Sequence, residues 1–278
     1  MVFRSHSSAS PGNLLSRIGT GCFLGIWFLF ILVPFLSLFL QLTGFDMGLL
    51  TGSTLAIRAV TTSFTTTAVS LMILVVVGLP TAYLMAKHEG SLTRYGEVLL
   101  DLPMVLPPAV AGVLLLLAFG RNGLIGSLLA KQGITVTFSW FAVVLAQCFV
   151  AGPLFVKSAI NGFRAIDPEL EETALTLGKC PWQVFWQVTF PLALPSLTSG
   201  LVMAWARALG EFGATIIFAG NFPGRTQTLP LAIYVAMENN FALSMGLSAL
   251  MVLISFFLLT LIKLLERKDA GRFRGAKG

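Results

Sequence analysis

The chain has 278 residues, of which 56% are hydrophobic and 11% charged, with a mean hydropathy of +0.87. Soluble domains carry about 25% charged residues, so the composition excludes an ordinary water-soluble globular fold. A net charge of +6 does not mark a nucleic-acid binder, because the basic residues lie mostly in short segments flanking apolar runs, the pattern that orients membrane proteins.

A membrane-crossing helix needs about 20 mostly apolar residues. Six runs qualify, at about 21–42, 64–86, 98–119, 138–160, 192–219 and 241–265. The first is long for a signal-peptide core and lacks a small-residue cleavage site, so it reads as a span. Before the second, "GSTLAIRAVTTSF" has the character of an interfacial helix, and its threonines Thr61, Thr62, Thr65, Thr66 and Thr67 can bond back to their own helix. The third contains "LPMVLPPAVAG", whose prolines should kink or break its first part. The expectation is a single all-α membrane domain over the whole chain, with no soluble domain and no internal repeat.

Lysines and arginines set the orientation. With the N-terminus inside, the inner side receives Arg4, Arg17, Lys87, Arg94, Lys157, Arg164 and Lys179, and also Lys263, Arg267, Lys268, Arg272, Arg274 and Lys277. The outer side receives Arg58, Arg121, Lys131 and Arg225. Both termini are therefore expected in the cytoplasm. Cys22 and Cys148 fall in apolar runs and Cys180 between runs, with no CxxC or Cys/His cluster, so neither a disulfide framework nor a metal site is indicated. His88 reads as a solvated loop residue.

One inner-side segment, "DPELEETALTLGKCPWQVFWQVTFPLALP", breaks the apolar pattern. Asp167 suits an N-cap and Pro168 the first helical position, while Glu169, Glu171 and Glu172 complement the helix dipole. Gly178 can take the left-handed conformation that ends the helix. Pro181 can open a second short helix, closed by Pro191, with Trp182, Phe185 and Trp186 at helical spacing. An amphipathic hairpin in the headgroup layer is one reading. The acids lack a basic face to offset repulsion from anionic lipid, which favours docking to a protein with a basic groove.

The order Glu172-Thr173-Ala174, Gly178, Val188, Phe190-Pro191 resembles the signature loop of ABC-importer permease subunits: Glu-Ala-Ala, three residues, Gly, nine residues, Ile, one residue, Leu-Pro. Spacing is kept throughout, with Thr173, Val188 and Phe190 as the departures. The resemblance implies the type I importer permease fold, with residues 161–191 as the loop whose coupling helix sits in a cleft of an ATP-binding subunit. Glu171, Glu172, Thr173, Ala174, Gly178, Val188 and Pro191 are the candidate coupling residues. No GxxxxGK[ST] occurs, so ATP and magnesium belong to the partner and no catalytic residue is expected.

"VGLPTAYLMAKHEG", "LPMVLPPAVAGVLLLLAFG" and "ARALGEFGATIIFAGNFPGRTQTLPLAIYVAMENN" resemble the molybdate, tungstate and sulfate branch of these importers, the last stretch the molybdate permeases above all. The resemblance implies import of molybdate or tungstate, with sulfate or thiosulfate as the alternative. It implies two ATP-binding subunits, a second permease copy in a homodimer, a periplasmic oxyanion-binding protein and surrounding inner-membrane lipid, with no nucleic acid. An intramembrane enzyme is the rival of another class, but it would need clustered titratable groups at depth. Only Arg207 and Glu211 offer any there, four apart on one helix face. They can neutralise each other, or Arg207 can line the pathway of an anion; the first is favoured, since a strong anion trap would slow release.

Overall fold

The computed structural model describes residues 11–88 and 90–274, and among them every regular element is helical. Contacts divide the chain into two units, meeting between Asp46 and Met47. The first holds α1 (Pro11–Gln41), whose apolar stretch Gly21–Gln41 keeps its side chains exposed, as a lipid-facing helix does.

The second unit opens with a single helical turn, Gly48–Thr51, and continues into α2 (Thr54–Lys87), a continuous helix of 34 residues. Ser53 caps it by accepting from the Ala56 N–H at 3.2 Å, so the segment expected as a separate interfacial helix is the first turns of the span itself. Thr61, Thr65, Thr66 and Thr67 donate to carbonyls three or four residues back, which lets a hydroxyl-rich helix enter an apolar layer. A π-turn at Leu74–Gly78 precedes Pro80.

The third expected span is two helices, α3 (Ser91–Val105) and α4 (Pro108–Phe119), bent by 118°. The break falls at Leu106-Pro107, where two consecutive prolines remove donors and push the preceding residue into extended backbone. Both halves pack on α5 (Trp140–Arg164), α3 near its C-terminal end and α4 against its N-terminal half. Five described helices are individually long and apolar enough to cross a membrane, six if this bent pair counts as one span.

After α5 come α6 (Pro168–Thr176) and α7 (Pro181–Leu209). The fifth span was expected over 192–219. It instead starts eleven residues earlier, at Pro181, and stops at Leu209. Pro191 does not close a separate helix: the π-turn Phe185–Thr189, in which the Phe190 N–H reaches the Phe185 carbonyl, absorbs the proline and lets the helix run on. At the far end, Gly210 to Phe212 break the helix before α8 (Gly213–Phe218). A loop then leads to α9 (Leu229–Asn239) and α10 (Phe241–Arg274).

Small residues let α5 and α7 approach closely, the usual solution where lipid gives helices no hydrophobic reason to associate. A Cβ on Gly162 would stand 2.5 Å from the Ser196 Cβ, and one on Gly200 equally close to the Ser158 Cβ. Ser158 Oγ donates to the Ser196 carbonyl at 2.7 Å across the same seam. A buried polar zipper joins α2 to α5: Ser70 Oγ donates to Gln147 Oε1 at 2.9 Å, and Gln147 Nε2 donates to Thr66 Oγ1 at 3.1 Å.

Candidate functional site: an acid-headed loop at one end of α7 and an ion pair at the other

Asp167 Oδ1 accepts from the Glu169 N–H at 3.0 Å, capping α6 as its sequence suggests. The helix ends where Lys179 N–H donates to the Ala174 carbonyl at 3.2 Å and Gly178 N–H to the Leu175 carbonyl at 2.9 Å. That pair of bonds is the Schellman arrangement, and it requires the φ of +84° found at Gly178. A Cβ there would meet nothing within 4 Å. Within this chain, then, glycine is needed for its backbone and not for room.

The candidate loop residues divide by direction. Glu172 and Thr173 are exposed, as are Gly178 and Pro191, whereas Ala174 is buried and Val188 half-buried within the π-turn. Glu171 turns inward. Its Oε2 lies 2.5 Å from Lys87 Nζ, and its Oε1 accepts from Thr189 Oγ1 at 2.7 Å. Lys179 reaches back to the Gln187 side chain, and Cys180 N–H donates to Gln183 Oε1 at 3.0 Å. Trp182, Phe185, Trp186 and Phe190 form a continuous run of ring contacts. With Leu79, Pro80, Tyr83 and Pro181, the first three of these rings line an open apolar cavity of about 420 Å³.

Two further ion pairs stand at this end: Lys157 with Asp101 and Arg164 with Glu97, each at 2.5 Å. Lys87 with Glu171 and Arg164 with Glu97 thus share a polar layer, Arg164 also donating to the Met85 carbonyl two residues before Lys87. His88 is exposed, as expected of a loop residue.

Arg207 and Glu211 are not part of this assembly. Arg207 lies 16 residues along α7 from Pro191, about 24 Å at the helical rise. Arg207 Nη1 meets Glu211 Oε2 at 2.7 Å, with Glu211 1% and Arg207 36% exposed in their side chains. The other carboxylate oxygen of Glu211 accepts from the Ala214 N–H at 2.8 Å, capping α8. Gly213 lies against Pro108, where a Cβ would stand 2.6 Å from the proline's own. The pair therefore both neutralises charge and starts a helix. Among the described residues no cluster of His, Cys, Asp and Glu could hold a metal ion.

Lys87 and Thr189 as partners of Glu171, the helix-capping use of Glu211, and the role of Gln147 lie outside what the sequence pattern leads one to expect. Only Gln147 had a visible signal, as an amide inside the apolar run "VVLAQCFV".

This helix arrangement is that of ABC-importer permeases. A structure of a bacterial alginate ABC transporter, in complex with an alginate-bound periplasmic protein, aligns with a TM-score of 0.71 at 18% identity over 92% of this chain and 94% of that one. The MetNI methionine transporter aligns at a TM-score of 0.60 and 20% identity, over 76% and 94%. The chain belongs to the family of binding-protein-dependent transport system inner membrane components, whose pattern covers residues 75–269. It is accordingly a multi-pass inner-membrane permease subunit, not an enzyme. The molybdenum transport permease ModB of Mycobacterium tuberculosis is 47% identical over 69% of this chain and 73% of its own length. ModB of Escherichia coli is 42% identical over 64% and 82%. The probable transport permease NifC of Clostridium pasteurianum is 37% identical over 77% and 75%.

Proposed function

We propose that this chain forms the conduit of an ATP-driven molybdate importer, with tungstate as the companion substrate. The observation that carries the reading is the α6 turn. An acid-capped helix ends on left-handed Gly178 with Glu172 and Thr173 exposed, at the spacing of the importer signature loop, in a chain 47% identical to a molybdenum permease. The exposed face of α6 docks in a cleft of an ATP-binding subunit, which holds the ATP and magnesium. Two such subunits act on two copies of this chain, and a periplasmic protein delivers the oxyanion. Closure of the ATPase pair draws the α6 helices together and opens the conduit outward; hydrolysis reverses it. The physics is a two-state element biased by a partner.

The basic residues support an inward-facing α6 end. Thirteen lysines and arginines fall on the side that carries both termini under this orientation, and four on the other. Arg207 is here a structural partner of Glu211. Specificity resides largely in the delivering protein, because a conduit has to release what it accepts.

Sulfate is the second reading, favoured by 37% identity over 70% of this chain to the sulfate permease CysW of Synechococcus elongatus. The deciding experiment is uptake of molybdate, in competition with tungstate and sulfate, by cells lacking this chain and by the same cells complemented with it. Uptake restored only for sulfate would replace the first reading with the second.

A further inference from the structure

The adjacent acids Glu171 and Glu172 face in different directions, and the inward one joins three elements. Glu171 lies on α6, Lys87 is the final residue of α2, and Thr189 closes the π-turn of α7. The carboxylate is 16% exposed and Thr189 is buried at 1%. One oxygen serves each partner, at 2.5 Å to Lys87 and 2.7 Å to Thr189. α6 cannot shift along its axis without carrying the end of α2 and the π-turn of α7 with it, or breaking this junction.

The two attached spans are built alike near this level. Each contains a five-residue π-turn, Leu74–Gly78 in α2 and Phe185–Thr189 in α7, and each π-turn is followed two residues later by a proline, Pro80 and Pro191. π-turns and prolines are where helices bend most readily, because the i to i−4 ladder is interrupted there. Thr189 is itself the last residue of one of these turns. The junction therefore pulls on α7 at its soft point, and on α2 nine residues beyond its own.

We propose that Glu171 is the internal positioning residue that transmits motion of α6 to both spans, while the exposed face bearing Glu172 meets the ATPase. The proposal rests on the reading of α6 as the docking helix. It separates two events, grip and pull, that a single docking surface would merge. A carboxylate suits the task because it alone among side chains of this length can take a lysine on one oxygen and a hydroxyl donor on the other.

The test uses the full transporter in proteoliposomes: pull-down of the ATP-binding subunit, ATP hydrolysis, and molybdate taken up per ATP hydrolysed. Glu171→Ala is expected to retain the ATPase at wild-type levels while uptake per ATP falls about tenfold. Glu171→Gln keeps an acceptor for Thr189 but loses the ionic bond to Lys87, and should fall between the two. Lys87→Glu alone should uncouple, and the exchange Lys87→Glu with Glu171→Lys should recover part of the ratio. If Glu171→Ala does not assemble, the exchanged pair decides: recovered coupling supports the junction and failure overturns it. Loss of ATPase binding in Glu171→Ala would make the residue a docking contact and overturn the proposal, as would an unchanged ratio. Failure of the wild-type chain to bind the ATPase would instead remove the docking-helix reading itself.

Discussion

Gly200 and Ser158 meet so closely that a Cβ on the glycine would stand 2.5 Å from the serine's. The contact lies in the seam between α7 and α5, with Gly162 against Ser196 repeating it in reverse. Real Cβ atoms do not approach to that distance, so any side chain at Gly200 forces the helices apart. Gly200→Leu is expected to destabilise the protein by about 2–3 kcal/mol and to lower its yield in the membrane. Gly200→Ala with Ser158→Gly should recover much of the stability lost by Gly200→Ala alone. Thermal unfolding of the detergent-purified protein is the measurement. Equal melting temperatures for Gly200→Leu and wild type would show that the seam does not hold the bundle.

Glu211 has two tasks, and its variants should separate them. Arg207→Ala leaves a buried carboxylate without its guanidinium, at a cost of about 1–3 kcal/mol once the exposure of Arg207 is discounted. Glu211→Ala removes the cap on α8 as well, and strands the Ala214 N–H. Glu211→Gln retains an oxygen for Ala214 and should be milder than Glu211→Ala. Equal losses in thermal stability for the Gln and Ala variants would mean the cap contributes nothing.

Gly178 makes a prediction about the partner more than about this chain. Its φ of +84° penalises a side chain by about 1 kcal/mol, and aspartate is among the residues that tolerate this region best. With nothing within 4 Å of the Cβ position, Gly178→Asp should fold. It should nonetheless abolish uptake if, as proposed, the ATP-binding subunit docks against this turn, because the added side chain would then stand in its way. On the same docking, Glu172→Ala would remove one exposed charge contact with the partner, of about 1 kcal/mol or less, and should only weaken uptake. Full uptake by Gly178→Asp would remove the docking assignment of this turn.

Orientation can be checked with a residue already in place. Cys180 is exposed beside Lys179. An impermeant thiol reagent applied to sealed cells should leave Cys180 unmarked. The same reagent should mark Arg225→Cys in a protein whose native cysteines are replaced. Labelling of Cys180 from outside would invert the topology.

Much of this architecture was readable because the bilayer enforces long apolar runs, and because caps and left-handed turns have strong residue preferences. Asp167 and Gly178 are legible for that reason. Helix ends inside apolar runs are not. The composition of Phe190 to Leu209 and of Gly213 to Phe218 is similar, and only the Glu211 carboxylate accepting from Ala214, with Gly213 against Pro108, separates them. Pro191 misleads in the opposite direction, since a π-turn that no local pattern announces carries the helix through it. The inward turn of Glu171 was hidden because Lys87 lies 84 residues away in sequence.

The hydroxyl and amide chemistry of α2 and α5 bears on the order in which the protein is made. Thr61, Thr65, Thr66 and Thr67 of α2 are satisfied within their own helix, so these hydroxyls do not hold the helix back from leaving the insertion machinery for lipid as soon as it is synthesised. Gln147 has no such internal recourse: its oxygen and nitrogen are met by Ser70 and Thr66, both on the earlier helix. α5 should therefore linger at the insertion site until α2 is beside it. Crosslinking of nascent chains to the translocase is expected to persist longer for α5 when Ser70 and Thr66 are both changed to alanine. It should be released early when Gln147 becomes leucine, and identical release times in all three chains would refute that sequence of events.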